Sequence, residues 1–139
     1  MKLSTVFTAT AIVSLLFGLG FVLAPAATLA PYGLTTDEAG IQVARFFGAA
    51  LLGYAAITWF ARNTEESSAR RALVLGLFLG FGIGFVVSLV NQLSGLQNAL
   101  GWSTVAIYLL FALGYGYFQF AKPTRPAEVS PGPTDTASS

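Results

Sequence analysis

The sequence predicts an all-α membrane protein: a four-transmembrane-helix bundle over residues 1–121, followed by a disordered C-terminal tail over residues 122–139. Three observations predict it. Hydrophobic side chains make up 55% of the 139 residues and charged ones only 9%, and the mean hydropathy is +0.70, far from the balance of a water-soluble domain. Apolar stretches long enough to cross a bilayer recur along the chain. With one exception, Arg45, the charges fall between those stretches or in the tail, where solvent or headgroups can hydrate them.

The first span is predicted over Leu3–Ala24. No charge occurs from Leu3 to Thr36, and the 22 residues to Ala24 match the roughly 20 that cross a bilayer. A removed signal peptide is the competing reading, because Lys2 precedes the apolar run and small residues follow it. The run is long for a signal core, and Pro25 and Pro31 are poor neighbours for a scissile bond, so a retained span is preferred over cleavage after Ala26. The prolines end the helix, since each removes a backbone donor and clashes with the preceding turn. Thr35 with Glu38 has the form of a capping box, which predicts a second helix starting near Thr36 and running as a span over 37–61.

Residues 62–71 hold Glu65, Glu66, Ser67, Ser68 and Arg70 and are predicted to form a polar connection. The next 50 residues, Ala72 to Ala121, carry no charge. As one helix they would be about 75 Å long, more than twice the hydrocarbon thickness, so they must fold back. Asn91, Gln92, Ser94, Gly95, Gln97, Asn98 and Gly101 mark the break, which predicts spans over 72–90 and 102–120. The tail carries Pro123, Pro126, Pro131 and Pro133 among small polar residues and has almost nothing apolar to bury.

With four spans, Lys2, Arg62, Arg70, Arg71, Lys122 and Arg125 all fall on one side, while the two loops opposite hold no basic residue. Cytoplasmic loops carry the excess of Lys and Arg, so both termini are expected in the cytoplasm and the protein in the cytoplasmic (inner) membrane. Trp59 and Trp102 suit the two aromatic belts. A net charge of +1 gives no reason to expect nucleic acid as a partner.

Small residues suggest helix seams. Gly76, Gly80 and Gly84 recur every fourth position, followed by Ser88 and Gln92, and Gly48 and Gly53 lie on shorter stripes of the second span. Such rows let another backbone approach closely in lipid. A seam within the chain is expected first; a homo-oligomer or a protein partner docked on a glycine-lined face is the alternative. Phe17-Gly18-Leu19-Gly20-Phe21-Val22 returns as Phe81-Gly82-Ile83-Gly84-Phe85-Val86, and Leu52-Gly53-Tyr54 as Leu113-Gly114-Tyr115. Duplication of a two-helix unit and coincidence within a restricted membrane alphabet both account for this.

Arg45 is the one charge inside a span. It precedes Arg62 by 17 residues. That is about 25 Å along a helix, which sets it about 5 Å below the far surface of a core near 30 Å thick. Gln42 lies one turn before it, and Asn91, Gln92, Gln97 and Asn98 fall at the same level. Two readings stay open. One is a structural hydrogen bond or a link from Arg45 to Glu38; the other is a lipid-phosphate or anionic-ligand contact built by Arg45, Gln42, Asn91 and Gln92.

Catalytic chemistry has few candidates. The chain contains no cysteine and no histidine, which removes thiol redox steps, thiolate metal sites, histidine bases and histidine-ligated haem. No span contains Asp or Glu, so the carboxylate of a proton relay is missing. No catalytic residue, metal or cofactor is expected, and the protein is read as a non-enzyme.

A glycine-rich first span, Pro25, Tyr32-Gly33 and Arg45-x-x-Gly48 occur in an order that resembles the small four-span bacterial membrane proteins called DoxX-like, over about residues 1–121. The resemblance implies a four-helix bundle in the cytoplasmic membrane and, for some members of that group, a place as a membrane subunit beside redox enzymes. It transfers no catalytic residue. A non-enzymatic membrane subunit or scaffold is therefore the first expectation. A lipid- or quinone-binding protein with an outer-leaflet pocket near Arg45 is the second. A small channel or transporter comes third, because no span has a polar stripe along its full length.

Overall fold

In a computed structural model, residues 2–121 are described and form five α-helices: α1 (Leu3–Leu23), α2 (Pro25–Leu29), α3 (Glu38–Ala61), α4 (Ser68–Leu93) and α5 (Gly101–Phe120). No strand occurs among the described residues. α1, α3, α4 and α5 are long and apolar enough to cross a membrane, which marks the chain as an all-α membrane protein. The tail predicted over 122–139 lies outside the described residues.

The ends follow local chemistry, and several differ from the sequence expectation. α1 stops at Leu23, and Pro25 takes the first turn of α2, where its missing N–H leaves no helical bond unmade. The stretch after Pro25 is thus a short helix and a 3-10 turn over Ala30–Tyr32, not open loop. α3 is capped by Asp37, whose carboxylate accepts from Gly40 N at 3.0 Å; the Thr35 capping box does not form. α4 begins at Ser68 instead of Ala72, because the Ser67 hydroxyl accepts from Arg70 N at 3.1 Å, so Arg70 and Arg71 are helical. It also runs three residues beyond Val90, to Leu93. Gly95 adopts φ +74 there, with Gly95 N bonded to Gln92 O and Leu96 N to Asn91 O, a Schellman ending that needs a left-handed residue. α5 starts at Gly101, one residue before the expected Trp102.

The long helices assemble as two antiparallel hairpins, α1 with α3 and α4 with α5, and α1 and α5 bring the hairpins together. In lipid the tails are as apolar as leucine, so close packing and interhelical hydrogen bonds drive association. Gly48 supplies the closest packing in the first hairpin. A β-carbon there would lie 2.9 Å from Gly18 O and from atoms of Phe21 and Val22. Gly84 does the same against the Tyr108 ring in the second.

The stripe is otherwise open. At Gly76, Gly80 and Gly53 an added β-carbon would meet no atom within 4 Å, so the expectation of an intramolecular seam along Gly76-Gly80-Gly84 fails for its first two members. α5 packs beside the Gly84 and Phe78 face of α4, leaving the earlier glycines on the outside. The repeated motifs share hairpin positions but not contacts. Gly18 sits against Leu52 and Gly48, whereas its counterpart Gly82 has nothing within 4 Å.

Leu3, Val6, Phe7, Ala61, Val74, Leu77 and Tyr115 form the buried core, all in the half of the bundle nearest the α3–α4 loop. The opposite end is fastened differently. Asn98 Nδ2 donates to Pro31 O at 2.8 Å and Asn98 N to Tyr32 O at 3.1 Å, tying the α4–α5 loop to the segment after α2.

Candidate functional site

Between the packed half and the Asn98 fastening, the hairpins separate and leave a cavity of about 310 Å³. α1 contributes Val13, Ser14, Phe17 and Phe21, and α3 adds Phe47 and Leu51. α4 presents Phe81, Gly84, Val87, Ser88 and Asn91, facing Thr104, Ile107, Tyr108 and Phe111 of α5. Leu29, Tyr32, Leu34 and Gln97 close the loop end. The walls follow from helix period: Ser14, Phe17 and Phe21 lie three and four residues apart on one face of α1, as do Phe81, Gly84, Ser88 and Asn91 on α4.

The cavity is graded along the bundle axis. Its deep part is aromatic: Phe81 stacks on Tyr115 with an interplanar angle of 6° and lies 5.0 Å from the Phe111 ring. Phe21 meets Phe47 edge-on at 5.4 Å near the other end. From Phe81 to Asn91 the wall rises about 15 Å, ending at the amides of Asn91 and Gln97 and the Tyr32 ring. Ser14 and Ser88 add hydroxyls to the wall and are only 3% and 7% exposed. Ser88 Oγ donates to Phe85 O at 3.0 Å, leaving its lone pairs to accept. No lining residue is charged.

Beside the loop end, Gln92 Nε2 donates to Asn98 O at 3.1 Å, while Gln92 Oε1 and Gln97 Oε1 are buried with no hydrogen-bond partner. Both oxygens crowd the α-carbon of Gly101, where a side chain would have no room. Two unpaired amide oxygens in one place are costly unless a donor reaches them.

The four residues proposed around the intramembrane charge are not brought together. Asn91 lines the cavity, but Arg45 and Gln42 are exposed on the outside of α3, and Gln92 bonds the loop. Among the described residues no ion pair forms within 4.0 Å, so the Arg45 to Glu38 link is absent as well. The cause is helix phase: Gly48, three residues after Arg45, points at α1, which turns Arg45 away from the bundle axis. Ser14, Tyr32 and Thr104 escaped the sequence reading, since isolated hydroxyls in apolar spans carry no pattern. Phe17 and Phe81 had a signal in the repeated Phe-Gly-x-Gly-Phe motif.

A family model matches residues 8–125, most of the chain and both hairpins. The chain belongs to that family, a domain of unknown function, DUF8292. The match spans every residue that lines the cavity, from Val13 to Phe111, so the cavity lies wholly within the DUF8292 domain. No curated protein and no solved structure matches the chain.

Proposed function

We propose that this membrane protein binds an apolar small molecule of the lipid or quinone type in the cavity between its hairpins. The carrying observation is the cavity itself: about 310 Å³, walled by Phe17, Phe21, Phe47, Phe81 and Phe111 and ending in amides. Binding sites for drug-sized molecules share that size and that ratio of apolar wall to few polar groups. The role is binding, not catalysis, because the lining holds no carboxylate, histidine or thiol to move a proton or attack a bond. Lys2, Arg62, Arg70 and Arg71 at the core end support a cytoplasmic membrane location with that end inside, which puts the cavity in the outer leaflet. The DoxX-like resemblance supports a companion role beside a redox enzyme. Native mass spectrometry of protein purified in mild detergent tests the reading. A small molecule retained by the wild type and lost from Gly84→Leu, which fills the cavity wall, is the expected result; a bare protein in both overturns it.

A second reading rests on a separate observation. Gly76 and Gly80 present a bare stripe on the outside of α4, and Gly53 another small surface on α3. In lipid such a face suits a helix of a second protein or a second copy, which is the scaffold role. Loss of a co-purifying subunit or of self-association in Gly80→Leu, with the ligand retained, would support it.

A further inference from the structure

We infer that the molecule held in the cavity is an uncharged amphiphile whose head carries a hydroxyl group, with that head at Gln97 and Asn91 and its apolar chain directed toward Phe81 and Phe111. This rests on the reading of the cavity as a ligand site and specifies the ligand's chemistry. The first observation is charge. No lining residue is ionised, and the bundle's only intramembrane cation, Arg45, is turned outward, so a phosphate or carboxylate head would enter without a counter-charge. The second observation is unmet hydrogen bonding. Gln97, a lining residue, has a buried carbonyl oxygen without a donor beside that of Gln92, and Ser14, 3% exposed, lines the wall with no hydrogen-bond partner among the described residues.

These groups ask for a particular head. With the Gln97 amide as it stands, its carbonyl needs a donor. With the amide turned over, it donates to Gln92, and its carbonyl takes the other side of the amide plane. A hydroxyl meets both arrangements because it donates and accepts, whereas an ester or ketone head only accepts and leaves the first unpaired. The aromatic floor about 15 Å away along α4 then takes the chain.

The test uses the full chain in phosphatidylcholine vesicles and three probes with the same diazirine-bearing acyl chain: a diacylglycerol, its acetyl ester, and the phosphatidic acid. The diacylglycerol should label peptides from α4 and α5, and the other two should label at least about tenfold less, the effect of one lost hydrogen bond or more. Gln97→Leu should lower diacylglycerol labelling by a similar factor, and Asn91→Leu serves as the second variant should the first fail to fold. Equal labelling by phosphatidic acid overturns the uncharged head, and equal labelling by the acetyl ester overturns the hydroxyl. The two readings fail separately. A small molecule retained in native mass spectra, together with no discrimination among probes, overturns the head-group inference alone. No retained molecule and no labelling overturns the binding reading as well.

Discussion

The Tyr115 hydroxyl lies 2.6 Å from Oγ1 of Thr10, 105 positions away in sequence, and both residues are 0% exposed. Thr10 Oγ1 also lies 2.9 Å from Val6 O, to which it donates its one proton, so Tyr115 is the donor across the pair. This bond joins the two hairpins at the edge of the core, below the cavity floor. Tyr115→Phe keeps the ring against Phe7 and Phe81, both with centroids 5.8 Å away, and removes only the bond. It should cost about 1 kcal/mol, the usual scale for interhelical bonds in membranes. Combined with Thr10→Ala, the loss should fall short of the sum by about 0.5–1.5 kcal/mol. Reversible unfolding in mixed micelles measures this, and strictly additive losses would show that the pair does not couple the hairpins.

The same substitution should have opposite consequences at two glycines. Gly48→Ala forces a methyl against the Gly18 carbonyl at 2.9 Å, and backbone cannot move aside cheaply, so a loss of about 1–3 kcal/mol is expected. Gly80→Ala meets nothing within 4 Å and restricts the unfolded chain, so its effect should lie between zero and a gain of about 1 kcal/mol. Phe78, which packs on Phe120 at 5.2 Å and over Gly116, should be the more sensitive of the α4 pair Phe78 and Gly80. Thermal denaturation in detergent ranks all three.

Asn98→Ala removes the tie to Pro31 O and the side-chain bond to Leu100 N at 3.0 Å. Faster amide hydrogen exchange is expected in residues 29–34 and 94–100, with the core amides near Phe7 and Tyr115 unchanged. Uniform acceleration along the chain would mean that the loop fastening supports the whole bundle.

Arg45→Gln should leave any cavity ligand in place, because the guanidinium lies outside the lining, while Gly84→Leu should remove it by displacing the Tyr108 ring. Native mass spectra of both variants, normalised to folded protein, distinguish these outcomes. Ligand loss in Arg45→Gln would return the site to the outer surface of α3.

Orientation is accessible through single cysteines, since the natural chain has none. Ser94→Cys and Ser68→Cys are both exposed, at opposite ends of α4. In intact cells Ser94→Cys should react with a membrane-impermeant thiol reagent and Ser68→Cys should not; the reverse pattern would invert the topology.

Span number was legible because the signal is local. A charge-free run too long to be one helix must fold back, and Pro25 and Gly95 act on their own neighbours whatever the rest of the chain does. Exact ends were less legible, since Asp37 and Ser67 compete with nearby Thr35 and Ser68 for the same capping role and only the backbone geometry chooses.

The sequence by itself determined that four apolar helices are joined by polar turns, and that neither thiol nor imidazole chemistry is available. Only the tertiary structure decided which glycines are seams, which way Arg45 faces, and that the hairpins close at Tyr115 yet part above it to leave the cavity. The physical reason is that lipid rewards every face of an apolar helix almost equally. With no hydrophobic gradient from outside to inside, the rotation of each helix is set by close packing and a few interhelical hydrogen bonds, and these depend on atoms from segments far apart in the chain.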